Sequence, residues 1–117
     1  MDITPLIPKD ALVINGYGDD YFLINQQKIF DNIYIYRNKF SSWQLKSEAI
    51  ELVKGFDSFP EIVLIGEGRG VFKPSRELAH KFAQHNIAIE FMDTPAACRA
   101  YNILLAEGRD ICVFLKI

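Results

Sequence analysis

The chain has few cysteines, no long apolar run and almost no excess of either charge, and each shortage excludes a class of protein. Its two cysteines, Cys98 and Cys112, show no CxxC or Cys/His spacing, so neither a disulfide framework nor a zinc site is expected. No apolar run approaches the roughly 18 residues of a membrane helix. The first residues lack the basic region of a signal peptide. A cytoplasmic protein without a membrane span is therefore expected.

The charge balance argues against nucleic acid as a partner. The 117 residues include 13 basic and 15 acidic ones, for a formal net charge of -2. Neutralising a phosphate backbone requires a clustered basic surface, which this composition does not supply. Half of the residues are hydrophobic and 24% are charged, which is typical of a globular protein. A single α/β domain over residues 1–117 is expected at this length.

The first 46 residues are rich in aromatic and β-branched side chains between turn formers. This pattern predicts strands at residues 11–14, 21–24 and 33–36, with turns at 15–20 and 25–28. A short strand at 29–30 and one more around Phe40, Trp43 and Leu45 complete the N-terminal part. Consecutive strands joined by short turns predict an antiparallel β meander.

The period of the apolar residues becomes helical after Ser47, which is a candidate N-cap for a short helix ending near Gly55. The continuous apolar run at 62–65 is typical of a parallel strand buried on both faces. An amphipathic helix at 74–85, a strand at 87–91, a helix at about 95–107 and a strand at 111–115 are expected after it. Thr94 is the expected cap of the last helix, Pro95 its first residue and Gly108 the residue that ends it. The expected fold is therefore an N-terminal antiparallel β meander packed with a C-terminal Rossmann-like β-α-β-α-β portion.

A glycine-rich loop at 66–70 follows the first parallel strand, where backbone N–H groups and a helix N-terminus can hold an anion. Gly66 and Gly68 permit close approach, and Arg69 adds positive charge. The spacing GxGxG is not that of a dinucleotide fingerprint, and Glu67 would repel an anion. Three alternatives stay open, namely a nucleotide site, a site for another anion or small ligand, and a plain tight turn.

The start of the last helix contributes a second set of polar residues to the same edge of the sheet. Asp93 and Thr94 follow the second parallel strand, so they are expected to flank one crevice with the glycine loop. Arg99 and Asn102 are three residues apart and share a helix face. A purely structural alternative is that Thr94 caps the helix, Asp93 favours its dipole, and Arg99 with Asn102 binds neighbouring backbone.

No catalytic triad, carboxylate pair or metal-ligand spacing is recognisable, so no catalytic residue, cofactor or metal is assigned. Cys98 lies about one turn into the last helix, where a helix dipole can lower a thiol pKa, so thiol redox work by Cys98 is a third possible function. More often such a residue is a small core hydrophobe. His80 and His85 are expected at the surface. The many N-terminal aromatic residues either fill the core or form a face for a protein partner or for self-association.

Several short motifs taken together resemble a known family. They are residues 65–68 with Phe72 and Pro74, then residues 90–94, 96–99, 101–104 and 107–109. The chain resembles the small domains of unknown function whose mitochondrial member is a respiratory complex I assembly factor. The resemblance implies an α/β fold with a β-rich layer beside a Rossmann-like portion. Ala100 departs from the family, whose members often have Thr beside the Tyr-Asn pair.

Two functions follow from the residues and the resemblance. The first is a non-enzymatic interaction or assembly-type protein, which the resemblance implies and the lack of a catalytic constellation favours. The alternative is a small-ligand or anion-binding domain, either a binding module or an enzyme, that uses the crevice at the carboxyl ends of the parallel strands. Its candidate residues are Gly66, Gly68, Arg69, Asp93, Thr94, Arg99 and Asn102.

Overall fold

Residues 11–117, which the computed structural model describes, form two β-sheets and three α-helices. The strands are β1 (Ile14–Tyr17), β2 (Phe22–Ile24), β3 (Gln27–Ile29), β4 (Ile33–Tyr36), β5 (Lys39–Ser42), β6 (Ile62–Glu67), β7 (Ala88–Met92) and β8 (Ile111–Lys116). The helices are α1 (Ala49–Lys54), α2 (Arg76–Ala83) and α3 (Thr94–Ala106), with a 3-10 turn at Lys46–Glu48 before α1. No helix in this part of the chain is long and apolar enough to cross a membrane.

The smaller sheet has the order β1-β2-β3, and the larger sheet has the order β5-β4-β8-β6-β7. Strand β6 runs parallel to both β7 and β8, whereas β4 is antiparallel to β8 and β5. The predicted α/β class, with antiparallel N-terminal strands beside a β-α-β-α-β portion, is confirmed. The prediction of one N-terminal meander is only partly right, because the β4–β5 hairpin leaves the meander and extends the larger sheet along β8.

Two apolar clusters cover the two faces of the larger sheet. Leu64 and Val113 face α3 and the smaller sheet, whereas Val63, Ile65 and Phe114 face α1 and α2. All five side chains are fully buried. The prediction that the apolar run at 62–65 is a strand buried on both faces is therefore confirmed, and β6 is the centre of the parallel portion.

The helix starts differ from the predicted caps. Ser47 does not cap α1, because the chain first makes the 3-10 turn and α1 begins at Ala49 without a side-chain cap. Helix α2 is capped by Ser75, whose Oγ accepts a hydrogen bond from the Leu78 N–H at 3.1 Å. In α3 the cap is Asp93 rather than Thr94. The helix already begins at Thr94, and the Thr94 hydroxyl donates to the Lys116 carbonyl instead of capping the helix.

The turns of the smaller sheet are shorter than the sequence predicts. Asn15 and Tyr17 belong to β1 rather than to a turn, although a register shift interrupts the pairing of β1 with β2. The next turn contains only Asn25 and Gln26, whose φ angles of 46° and 71° lie in the left-handed region. Because these two residues alone reverse the chain, Lys28 pairs within β3.

Candidate functional site

Thr94 lies where β6 and β8 end, and it binds to both strands. The Gly68 N–H donates to Thr94 Oγ1 at 2.8 Å, and the Thr94 N–H donates to the Gly68 carbonyl at 2.7 Å. The Thr94 hydroxyl in turn donates to the Lys116 carbonyl at 2.5 Å. The residue is buried, so these groups are withdrawn from solvent. Thr94 therefore fastens the start of α3 to the ends of two strands.

Gly66 is needed because α3 packs directly against β6 at this point. A Cβ atom on Gly66 would lie 2.9 Å from the Ala97 Cβ and 3.1 Å from the Thr94 Cα. Both distances are shorter than side chains tolerate without movement of their neighbours. At Gly66 the atoms of Ala97 and Thr94 therefore fill the space between β6 and α3.

Asp93 and Gly68 complete this strand-end cluster. The Asp93 carboxylate accepts a hydrogen bond from the Ala96 N–H at 2.8 Å, which is ordinary N-capping. Gly68 has a φ of 85°, which is strained for any residue with a side chain. The structure thus brings Gly66, Gly68, Asp93 and Thr94 together, and the contacts of these residues maintain the fold.

Arg69 extends away from the glycine loop toward the turn between β1 and β2. Its guanidinium donates to the Gly18 carbonyl, lies 3.7 Å from the Asp19 carboxylate and is 5.4 Å from the centre of the Tyr17 ring. These contacts link the loop after β6 to the smaller sheet. The positive charge is shared with Asp19, which reduces its attraction for an anion in the loop.

Asn102 lies about two helical turns after Thr94 in α3, and its side chain binds the backbone of β1. Its Oδ1 accepts from the Ile14 N–H at 3.1 Å, and its Nδ2 donates to the Ile14 carbonyl at 2.6 Å. The neighbouring Tyr101 hydroxyl donates to the Leu12 carbonyl at 2.7 Å. The structural alternative for Asn102 is confirmed. Arg99 is exposed and makes no ion pair within residues 11–117.

An ion pair that the sequence did not predict lies beside the same strand end. Lys46 pairs with Glu67, donates to the Lys73 carbonyl at 2.8 Å and lies 5.4 Å from the centre of the Phe91 ring. Within the described chain Glu67 Oε2 is buried and has no hydrogen-bond partner. The carboxylate expected to repel anions is thus paired by a lysine 21 residues earlier, which no local motif signals.

The two cysteines are buried and free. Burial raises the pKa of Cys98 to about 12, because the desolvated thiolate is disfavoured more than Arg99 and Arg69 can compensate. The pKa of Cys112 is also raised by burial. A thiol with such a pKa is a poor nucleophile at neutral pH, so these values argue against redox work by Cys98.

The two histidines differ in their exposure to solvent. His80 is exposed, as expected, and its ring lies 3.3 Å from the Gln84 amide. His85 is half-buried, because its ring packs edge-on against Phe59 with the centroids 5.2 Å apart. In the described part of the chain no three His, Cys, Asp or Glu side chains are grouped to hold a metal ion.

A cleft of about 460 Å³ lies on the opposite side of the larger sheet, between the β4–β5 hairpin and the loop after α1. Its lining includes Tyr34, Tyr36, Arg37, Lys39 and Phe56. No prediction from the sequence included this cleft. The available signal was the alternation of Tyr34 and Tyr36 on one face of β4, but their distance from residues 55–58 along the chain concealed the second wall.

The fold and the strand-end contacts define a small α/β protein whose mixed five-stranded sheet has α1 and α2 on one face and α3 with the three-stranded sheet on the other. Residues 14–116 match a family described as "Protein of unknown function (DUF498/DUF598)". The chain belongs to this family. The resemblance drawn from the sequence motifs is thereby confirmed.

Similar proteins include several whose names describe an assembly factor and one bacterial protein whose name describes a membrane protein. The chain is 29% identical over 105 residues to "NADH dehydrogenase (ubiquinone) 1 alpha subcomplex assembly factor 3" of Rattus norvegicus, covering 85% of this chain and 57% of that protein. It is 30% identical over 82 residues to the "13 kDa major membrane protein" of Francisella tularensis, covering 68% of this chain and 65% of that protein. The chain thus spans less than two thirds of the length of these relatives.

Solved structures agree with the fold. A crystal structure of a protein from Bordetella parapertussis superposes with a TM-score of 0.77 at 32% identity, covering 90% of this chain and 94% of that one. A solution structure of a Mth938-like domain from Bordetella pertussis superposes with a TM-score of 0.73 at 26% identity, covering 98% and 91% of the two chains. The α/β arrangement is therefore shared by proteins of similar length.

Proposed function

We propose that this chain is a non-enzymatic protein-interaction module that supports the assembly of a larger complex. The observation that carries the proposal is that the side chains of Thr94, Asp93 and Asn102 form hydrogen bonds with the chain's own backbone. Side chains held in this way stabilise a scaffold and are oriented toward the chain's own backbone. The assembly-factor names of several relatives support the same function.

Exposed apolar side chains supply surface for a protein partner. Val71 is 94% exposed, Phe30 62%, Ile103 59% and Phe59 42%. When a partner covers an exposed apolar group, the free energy falls by about 25 cal/mol per Å² of apolar area buried. Scattered single residues are normal on a protein surface, but aromatic ones are the preferred anchors of interfaces. A protein partner or self-association accounts for this surface.

The named relatives suggest which complex to examine first. We propose that the chain assists the assembly of an NADH dehydrogenase in its own organism. The gene would be deleted, and assembled enzyme would be measured by activity staining of native gels. We expect a loss of assembled enzyme that the wild-type gene restores, and in-cell cross-linking of a tagged protein should capture a small set of partners. Unchanged enzyme together with no specific cross-link would overturn the proposal.

One observation favours the alternative of a small-ligand site at the strand ends. Glu67 Oε2 is buried beside the glycine loop with no partner among residues 11–117, so a ligand with a hydrogen-bond donor would satisfy it. Such a site would lie on the Lys46 side of β6, whereas the candidates Gly68, Arg69 and Arg99 belong to the crevice predicted on the α3 side. A ligand at 100 times its dissociation constant adds about 2.7 kcal/mol of stability, which a thermal-shift screen detects.

The variants Glu67→Gln and Arg99→Ala distinguish a ligand at Glu67 from one in the crevice on the α3 side of the sheet. If a small metabolite stabilises the wild type and one of these variants loses the shift, the ligand-binding function replaces the assembly function. A screen in which no compound shifts the wild type would remove the alternative. The expected cytoplasmic location stays a prediction, which fractionation of cells carrying the tagged protein would check.

A further inference from the structure

The solvent-facing side of α3 makes none of the strand-end contacts described above. We infer that this face binds the same face of a second copy of the chain, with the two helices antiparallel across a two-fold axis at Ile103. In this arrangement Arg99 of each copy lies beside Glu107 of the other copy. The inference assigns one surface to self-association, and it does not depend on the assembly role.

The face consists of residues at helical spacing around Ile103. Successive residues of a helix are about 100° apart, so the residues within about 60° of Ile103 are Ala96, Arg99, Ala100, Ala106 and Glu107. Ile103 is 59% exposed, and the others are exposed or half-buried. Glu107 follows the last residue of α3, but its φ of −81° is still helical. The buried residues Ala97, Cys98 and Tyr101 lie toward the opposite side, against the sheet.

The composition of this face is unusual for a helix surface in water. Apart from Arg99 and Glu107 it is alanine and isoleucine, whereas the exposed residues of α2 include Glu77, His80 and Lys81. A helix that is apolar on its outer side as well as its inner side is normally covered on both. The alanines beside Ile103 would allow a second helix to approach closely, because the distance between packed helices depends on the side chains at the contact.

The two charged residues of the face have no ion pair among residues 11–117. Neither Arg99 nor Glu107 has an opposite charge three or four residues away in α3, where a helical ion pair would form. The pKa of Arg109 is raised chiefly by its hydrogen bonds with Glu61 and to a smaller extent by the charge of Glu107, so Arg109 belongs to the Glu61 pair. Arg99 and Glu107 can therefore each bind an opposite charge on another chain.

The spacing of these charges about Ile103 selects a second copy as the occupant. Arg99 lies four residues before Ile103 and Glu107 four residues after it, which is about 6 Å along the helix axis in either direction. When two antiparallel helices are centred on Ile103, Arg99 of one copy and Glu107 of the other lie at the same height. This contact occurs twice, and Ala100 of each copy lies at the height of Ala106 of the other. The face is thus self-complementary, as a two-fold interface requires.

The position of Glu107 is unfavourable in a single copy. Its carboxylate lies at the C-terminal end of α3, where the helix dipole disfavours a negative charge. In the antiparallel pair, Arg99 of the second copy lies beside this end and offsets the repulsion. The same charge that destabilises one chain by itself therefore stabilises the pair.

The test is sedimentation equilibrium of the full chain between about 10 µM and 1 mM, because one helix face makes a small interface with an expected micromolar dissociation constant. Arg99→Glu and Glu107→Arg each turn two attractive contacts into repulsive ones, so each should weaken the dimer at least about tenfold. The double variant restores both attractions, and its dissociation constant should lie within about threefold of the wild-type value.

Mixing the two single variants gives the sharpest result. In a pair of one Arg99→Glu chain and one Glu107→Arg chain, both contacts again join opposite charges. Unlabelled Glu107→Arg chain titrated into ¹⁵N-labelled Arg99→Glu chain should therefore give saturable amide shifts on α3. Its affinity should be at least about tenfold higher than that of either variant for itself.

Two controls make matched changes elsewhere on the surface. Arg76→Glu at the start of α2 has the same change of charge as Arg99→Glu, and Val71→Lys is matched to Ile103→Lys because Val71 is 94% exposed. Both controls should leave the dissociation constant within about twofold, whereas Ile103→Lys should raise it at least about tenfold. All of these positions are exposed, so melting temperatures in dilute solution should stay within about 3 °C of the wild type and show that the variants fold.

A chain that is monomeric at about 1 mM would overturn the inference. So would a dimer that Arg99→Glu and Glu107→Arg leave unchanged, or single variants that do not associate on mixing. A monomeric chain whose deletion still removes assembled NADH dehydrogenase would refute this dimer and leave the assembly role intact. A dimeric chain without cross-links to other proteins, in cells that assemble the enzyme normally without the gene, would refute only the assembly role.

Discussion

Thr94 and Gly68 are joined by two reciprocal hydrogen bonds, one from the Gly68 N–H to Thr94 Oγ1 and one from the Thr94 N–H to the Gly68 carbonyl. The same hydroxyl donates to the Lys116 carbonyl. One side chain thus satisfies backbone groups at the ends of two parallel strands. A residue that a crevice hypothesis places at a ligand therefore stabilises the fold.

Replacing Thr94 with Val should destabilise the protein strongly. The change keeps the shape of the side chain but leaves the Gly68 N–H and the Lys116 carbonyl without a partner, at about 1–3 kcal/mol for each buried group. We expect a loss of about 2–4 kcal/mol in the free energy of unfolding, measured by urea denaturation. Thr94→Ser keeps the hydroxyl and should retain most of the stability. A Val variant within about 0.5 kcal/mol of the wild type would contradict the role assigned to the hydroxyl.

Gly66→Ala tests the close approach of α3 to β6. The added Cβ would lie 2.9 Å from the Ala97 Cβ, so the helix must shift, and overpacking of this kind costs about 1–3 kcal/mol. Gly16→Ala is a matched control, because a Cβ there meets nothing within 4 Å. Thermal unfolding of both variants compares them directly. Equal melting temperatures would show that the helix has room to move.

Asn102→Ala should release β1 from α3. The substitution removes both hydrogen bonds to the Ile14 backbone, so we expect a loss of about 1–3 kcal/mol and faster amide exchange in β1. Tyr101→Phe removes one hydrogen bond, to the Leu12 carbonyl, and should cost about 0.5–1.5 kcal/mol. If amide exchange in β1 is unchanged by Asn102→Ala, other contacts hold that strand.

Cys98 should be unreactive in the folded protein. With a pKa raised to about 12 by burial, the thiolate fraction at pH 8 is on the order of 10⁻⁴. Iodoacetamide labelling followed by mass spectrometry should therefore be at least about a hundredfold slower in native protein than in urea-unfolded protein. Rapid native labelling at Cys98 would restore the redox hypothesis that its burial argues against.

Glu61 should make a small contribution to acid sensitivity. The pKa of Glu61 is lowered from its ordinary value of 4.5, chiefly by hydrogen bonds from Arg109 and then by the Asp110 N–H. Because the folded-state pKa lies below the unfolded one, the stabilisation is present above pH 4.5 and is lost as the pH falls through the folded-state value.

The Glu61→Gln variant measures that contribution. Its stability should lie below that of the wild type near neutral pH, and the difference should shrink in acid. Urea denaturation at several pH values checks this, with Glu51→Gln as a surface control whose ion pair to Lys54 is at 3.8 Å. A difference that does not change with pH would show that Glu61 acts through something other than its charge.

Elements with a strong local signal were predictable. The continuous apolar run of β6, the amphipathic stripe of α2 and the Pro95 and Gly108 signals of α3 all led to elements near their observed bounds. Gly108 has a φ of 76°, which fits its expected place after a helix. Caps were less predictable, because Asp93 and Thr94 are both good caps and only the hydroxyl contact with Lys116 decides between them.

Long-range pairings were not predictable from local pattern. The β4–β5 hairpin has the same alternation as the strands before it, yet its partner is β8, about 80 residues further along the chain. Arg69 has the position of an anion ligand in its loop, but the turn after β1 supplies its partners. The cleft beside β5 similarly needs the loop at residues 55–58 as its second wall.

The sequence by itself determined the α/β class, the order of helices and strands, and the family, because these depend on periodicity and on motifs within short stretches of chain. Only the tertiary structure decided what the polar residues do. The Thr94 hydroxyl binds the carbonyl of Lys116, 22 positions away, and the Asn102 amide binds the carbonyl of Ile14, 88 positions away. A buried polar group must pair with whatever donor or acceptor the fold brings beside it, and that neighbour is set by the packing of distant strands.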